Sequence, residues 1–176
     1  MQEFHLPTPF WRFDYSLPEG IYEWCLTIKS ERPFCQVSNR GGYQCEPFWG
    51  LDAMPLEYRG VIEKALDFIP NYNVDNWWIN VNNKGDYNLK HTHPNTDLVA
   101  VWYITDDDNE FFVEDPFIQT RSSMYRTFNV PDNMSFNTRA GGILVHPGDV
   151  NHWVESHKSD KPRITIGFNI TVCQPR

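Results

Sequence analysis

The sequence predicts an α+β domain, mainly β, in which helices come first and many short antiparallel strands then build a β-sandwich or jelly roll. Apolar residues recur at helical spacing in two stretches near the N-terminus. From Asn76 onward the apolar period drops to two, and turns rich in Gly, Pro, Asn and Asp separate the runs. Aromatic residues make up 15 % of the chain, a composition that suits pleated, half-buried surfaces. A length of 176 residues fits one domain with a real core, helical over about 1–75 and jelly-roll over about 76–173.

The first helix is expected in "SLPEGIYEWCLTIKS". Ser16 and Glu19 stand at capping-box spacing, Pro18 suits a first turn, and Leu17, Ile21, Trp24, Cys25 and Ile28 share a stripe. In "PLEYRGVIEKALDFIP" the stripe is Val61, Ile62, Ala65, Leu66 and Ile69, closed by Pro70. Strands are expected in "NWWINVNN", "DLVAVWYI", "EFFVED", "GGILVHPG", "NHWVES" and "RITIGFNITV". The last alternates most cleanly. Ile164, Ile166, Phe168, Ile170 and Val172 face one way, and Arg163, Thr165, Gly167 and Asn169 face the other. The less regular run from Pro116 to Ala140 reads as a partly stranded lid or insertion.

A formal net charge of -8 with no basic stripe argues against nucleic-acid binding and disfavours polyanionic substrates. No apolar run reaches membrane-spanning length, and "MQEFHLPTPFWRFD" lacks the apolar core of a signal peptide. A cytoplasmic protein is expected, in the host cytoplasm if phage-encoded. Cys25, Cys35, Cys45 and Cys173 include no Cys-x-x-Cys pair, so free structural thiols are expected.

Chemistry concentrates in "KHTHPNTD". In an extended chain, His91 and His93 project to the same side. The Gly148-Asp149 turn would deliver His152 at the start of a strand, and three protein ligands leave a metal with positions open for substrate and oxygen. His5 and His157 have no supporting context, and His146, before Pro147, reads as a core residue. Arg163 and Thr165 share the polar face of the last strand. A guanidinium fork beside a hydroxyl suits a carboxylate, so metal ligands and clamp together describe a site for a chelating dicarboxylate such as 2-oxoglutarate.

The stretches "SNRGGYQC", "WWINVNNKGDYNLKHTHPNTDLVAVWYI", "FFVEDP", "GGILVHPGDVNHWV" and "KPRITIGFNI" resemble, in order and spacing, the Fe(II)- and 2-oxoglutarate-dependent oxygenases. The nearest likeness is to a group common in marine bacteria and phages, with prolyl 4-hydroxylases more distant. The resemblance implies a double-stranded β-helix, a jelly-roll or cupin-like barrel with the N-terminal helices packed outside. It implies Fe(II) as metal, 2-oxoglutarate as cosubstrate, O2 consumption, and hydroxylation of an unactivated C–H in a small-molecule or peptidyl substrate.

By position, the resemblance makes His91 the first metal ligand, His152 the distal one, and Arg163 with Thr165 the partner of the cosubstrate's distal carboxylate. Tyr87 and Asn82 fall where relatives place side chains against the cosubstrate. The departure is His93, where the wider superfamily has Asp or Glu. His93 is favoured as third ligand, with Asp97 the competing candidate. The alternatives are a cupin-like metalloprotein without 2-oxoglutarate, which has no general need for Arg163, and a non-catalytic jelly-roll binding or structural protein. Trp78, Trp102 and Trp153 are candidates for the pocket wall. Neither oligomeric state nor the prime substrate is readable.

Overall fold

The computed structural model describes residues 8–106, 110–118 and 132–173. Its elements are β1 (Trp11–Asp14), α1 (Ile21–Glu31), β2 (Asn39–Arg40), β3 (Tyr43–Gln44), β4 (Phe48–Trp49), α2 (Leu56–Leu66), β5 (Tyr72–Asn82) and β6 (Tyr87–His91). They continue with β7 (Leu98–Tyr103), β8 (Glu110–Glu114), β9 (Asn133–Asn137), β10 (Gly142–Pro147), β11 (His152–Val154) and β12 (Arg163–Val172). A larger antiparallel sheet runs β1-β10-β7-β12-β5-β3, with β4 also on β5. A smaller one runs β2-β6-β11-β8-β9. This is the expected jelly roll.

The alternation in β12 decides which way the larger sheet faces. Ile164, Ile166, Phe168 and Ile170 are fully buried, in one cluster with Trp77 and Ile79 of β5, Ile143 and Val145 of β10, and Ile21, Cys25, Ile62 and Leu66 of the helices. The main core therefore lies between the helices and the outer face of the larger sheet. A smaller cluster of Tyr103, Phe111, Val113, Leu144 and Val150 packs elsewhere. Arg163, Thr165, Gly167 and Asn169 are left on the opposite, inner face of β12.

Two expectations need correcting. α1 begins at Ile21, not at a Ser16 capping box: Gly20, at φ 76°, is the N-cap and no side chain caps the helix. Glycine reaches this left-handed conformation without the Cβ cost, and the turn it makes starts the helix past Glu19. The supposedly helical first part also contains β1 to β4, and β5 starts at Tyr72. β2, β3 and β4, two residues each, have no period to read, and sheet neighbours alone define them. The run 116–140, expected to be partly stranded, carries β9 at the edge of the smaller sheet. The proposed lid within it falls largely on residues 119–131, outside the described residues.

The turn after β10 ties the two histidine-bearing regions together. Gly148 N–H donates to Asp97 O at 3.0 Å, and Gly148 O accepts from His93 N–H at 2.7 Å. A Cβ at position 148 would run into the Thr96 carbonyl oxygen, which is backbone and cannot swing aside. Gly148→Ala is therefore expected to lower the thermal unfolding midpoint by about 3–8 °C. An unchanged midpoint in calorimetry would show that the 93–97 loop yields freely.

Candidate active site

The inner faces of the two sheets enclose a cavity of about 560 Å³, including its open mouth. His91, His93 and His152 stand at one end, and Arg163 and Thr165 also line the wall.

Strand pairing brings the histidines together. His91 closes β6 directly opposite His152, the first residue of β11, and their ring centroids are 4.2 Å apart. His93 lies beyond the strand, and its ring stacks on His152 at 5.1 Å and on Trp78 at 5.6 Å. Trp78 can lie there because it crosses Gly167, where a Cβ would meet the indole at 2.5 Å. One ring nitrogen from each histidine falls within 4.8 Å of the other two.

In each ring, Nδ1 faces an oxygen acceptor. The partners are Leu89 O at 2.6 Å for His91, Asn169 Oδ1 at 2.7 Å for His93 and Val150 O at 2.9 Å for His152. An acceptor at Nδ1 calls for a proton there and leaves the lone pair on Nε2. Burial disfavours the imidazolium form in all three. It lowers the His91 pKa and, helped by the neighbouring His91, takes His93 down to about 4. Burial, with His146 next to it, holds His152 well below the ordinary range. At neutral pH the cluster offers three uncharged nitrogen donors, a set that suits a first-row divalent metal.

Arg163 is buried, and its Nη2 donates to Asn88 Oδ1 at 3.1 Å. Thr165 accepts from Asn80 Nδ2 at 3.4 Å, so its hydroxyl hydrogen remains available to donate. Ser38, which accepts from Asn88 Nδ2 at 3.3 Å, adds another hydroxyl to the wall. A charged fork and two hydroxyls together match a carboxylate.

Of the residues singled out in the sequence, His91, His93, His152, Arg163 and Thr165 line one cavity, and Tyr87 and Asn82 do not. Tyr87 is 40 % exposed. β6 spends Asn88 to His91 opposite only Val154 to His152 of β11, so an extra residue interrupts the alternation. In a regular strand Tyr87 would share a face with His91. With the extra residue, Asn88 takes that place. Asn82, opposite Arg163, is fully buried and its Oδ1 accepts from Asn39 Nδ2 at 3.0 Å.

Asp97 points elsewhere: its Oδ2 accepts from Val172 N–H at 2.7 Å. Of the three tryptophans, Trp78 lines the cavity, Trp102 belongs to the helix-side core, and Trp153 stacks on Phe112. His146 is buried, with its pKa pushed down to about 4 mainly by burial. His157 Nε2–H donates to Lys161 O at 2.7 Å, and His5 lies outside the described residues. The sequence reading missed Ser38, Asn80 and Asn88. A polar alternation in β5 was the available signal for Asn80.

The chain matches the family model described as "Putative 2OG-Fe(II) oxygenase" over residues 76–169. No curated protein matches by sequence. Among solved structures, HygX from Streptomyces hygroscopicus, with nickel, 2-oxoglutarate and hygromycin B bound, superposes with a TM-score of 0.62 at 12% identity over 93% of this chain and 82% of that one. A Pseudomonas putida prolyl-4-hydroxylase gives 0.61 at 14% over 92% of both chains. The Trichoplax adhaerens prolyl hydroxylase, in complex with a hypoxia inducible factor oxygen degradation domain peptide fragment, gives 0.64 at 11% over 93% and 83%. These likenesses identify the jelly roll as a double-stranded β-helix. The family match covers more than half of the sequence and contains the three histidines, the arginine and most of strand β12, and the chain belongs to the 2OG-Fe(II) oxygenases, with Fe(II) and 2-oxoglutarate as metal and cosubstrate.

Proposed function

We propose that His91, His93 and His152 hold the iron through Nε2, that Arg163 and Thr165 receive the distal carboxylate of 2-oxoglutarate, and that the enzyme hydroxylates an unactivated C–H of a small-molecule or peptidyl substrate. The observation that carries this reading is the convergence of three imidazole donors within 4.8 Å of one another in a cavity that Arg163 also lines. The donor set fits the metal, because each ring has its Nδ1 occupied by an acceptor and its basicity lowered by burial. When bound, the iron supplies oxygen activation coupled to decarboxylation of 2-oxoglutarate to succinate.

The chain's own share is positioning. Arg163 and the Thr165 hydroxyl orient the cosubstrate from its far end. Asn88 holds the guanidinium in place. Val99, Val101 and Phe111 give the cavity apolar walls that exclude bulk water. Hygromycin B in HygX and a peptide in the Trichoplax enzyme support a small-molecule or peptidyl substrate for this chain as well.

Three outcomes are expected. Anaerobic Fe(II) with 2-oxoglutarate should give a weak visible charge-transfer band, and admission of air should release succinate slowly even without a prime substrate. Iron-loaded protein that shows neither would defeat the oxygenase assignment of this cavity. Arg163→Ala should raise the 2-oxoglutarate concentration needed for half-maximal succinate formation by roughly 10–100-fold, the value of a lost charged hydrogen-bonding partner. An unaltered requirement would take Arg163 out of the site.

The third outcome concerns acid. His93 and His146 titrate at the ordinary 6.5 when unfolded but at about 4 when folded, so below pH 6.5 the unfolded chain binds more protons. Their full contribution is present above pH 6.5 and is lost as pH falls from 6.5 towards 4. Metal-free protein should therefore melt on the order of 5–10 °C lower at pH 5 than at pH 7. Equal midpoints would mean that these imidazoles are solvated.

A further inference from the structure

We propose that the Asn169–Asn76 amide pair is a positioning device for His93: it fixes the Nδ1–H tautomer and thereby aims the Nε2 lone pair at the metal. The inference deepens, and rests on, the metal reading above. Asn169 of β12 and Asn76 of β5 are direct cross-strand partners on the inner face of the larger sheet. Asn169 Oδ1 lies 2.7 Å from His93 Nδ1, and Asn169 Nδ2 donates to Asn76 Oδ1 at 3.1 Å. A carboxamide has one accepting side and one donating side. With its donor spent on Asn76, Asn169 can present only an acceptor to His93.

The opposite orientation would place an NH2 against the ring, draw the lone pair to Nδ1 and leave a proton on Nε2. A protonated Nε2 cannot ligate. His91 and His152 avoid this choice, because their Nδ1 partners are main-chain carbonyls two residues earlier, Leu89 and Val150, which have no donor side. His93 stands beyond the end of β6, and its acceptor is a side chain 76 residues later. It is the one ligand of the three whose tautomer a side-chain substitution can change. The partner is also uncharged. A carboxylate there would pull the Nδ1 proton and make the ring a more basic donor, whereas an amide leaves it a neutral imidazole.

The test uses wild type, Asn169→Leu, Asn169→Asp and Asn76→Leu, with circular dichroism melts of the metal-free proteins to verify folding. Long-range proton–nitrogen NMR reads the His93 tautomer without metal, and competition with a chromophoric chelator reads Co(II) affinity together with its visible ligand-field bands. Wild type should show His93 as Nδ1–H. Asn169→Leu, similar in shape but without an acceptor, should shift the tautomer and weaken Co(II) by roughly 10–100-fold. Asn169→Asp should keep Nδ1–H, bind Co(II) within a few-fold of wild type and displace the bands. Asn76→Leu, which frees the Asn169 amide to rotate, should weaken Co(II) less than Asn169→Leu.

Wild-type tautomer and affinity in Asn169→Leu would overturn the role of Asn169 and leave the metal reading intact. Asn169→Asp failing as badly as Asn169→Leu would do the same, since the acceptor would then be irrelevant. Wild type that takes up no Co(II) would instead remove the metal reading, and this inference with it.

Discussion

Ten residue pairs hold β12 against β5, from Arg163 opposite Asn82 to Val172 opposite Tyr72, and nearly every feature of the site depends on that register. It sets Thr165 beside Asn80, lays Trp78 across Gly167 and pairs Asn169 with Asn76. Because side chains alternate with a period of two, a slip of one residue would turn Arg163, Thr165 and Asn169 towards the helices. The same slip would bring Ile164, Ile166 and Ile170 into the cavity. The helix-side core thus guards the site: the fully buried isoleucines and Phe168 make every other register expensive in exposed apolar surface.

The cluster at the other end is held together against its own preferences. Three imidazoles share a buried space, with His146 edge-on to His152 at 4.7 Å, and no carboxylate is among the described residues of the wall. Such a group tolerates burial only while every ring stays neutral. Neutrality in turn makes the rings ligands instead of cations. With the proposed ligand set, a third imidazole where the wider superfamily has a carboxylate also leaves the centre one charge more positive. In the proposed site the electrostatic hold on an anionic cosubstrate is then shared between the metal end and Arg163, not concentrated at the arginine.

What could be read in the sequence was whatever has a period or a fixed chemistry. The stripes of both helices, the two-faced β12 and the order His91, His93, His152, Arg163 are local properties, and the structure brings those residues to one cavity. Elements defined by their neighbours were not readable. β2, β3 and β4 are strands only because β6 and β5 run alongside them. Asn88 lines the cavity and Tyr87 does not, because an extra residue between Asn88 and His91 breaks the parity on which any reading of faces relies. Asn169 was put on the correct face of β12, but its bond to His93 depends on where the chain goes after β6 ends, which no spacing in the sequence reveals.

The two register shifts among the described strands lie beside the two groups that most need aiming. In β6 the extra residue turns Asn88 inward, where its amide oxygen takes the Arg163 guanidinium. In β5 the pairing steps from Asn76 to Val74, leaving Asp75 unpaired in the ladder opposite the Asn169–Ile170 step. Asp75 is nevertheless fixed: its carbonyl accepts from Gly50 N–H at 3.0 Å and its Oδ2 from the Thr171 hydroxyl at 2.6 Å. A bulge twists its strand and redirects the residues next to it, and here the neighbour is Asn76, which orients Asn169. Regular ladders carry the fold's stability, and in the proposed site the interruptions direct the Arg163 clamp at one end and the third imidazole at the other. Restoring perfect pairing at either bulge would preserve the sandwich and misdirect the chemistry.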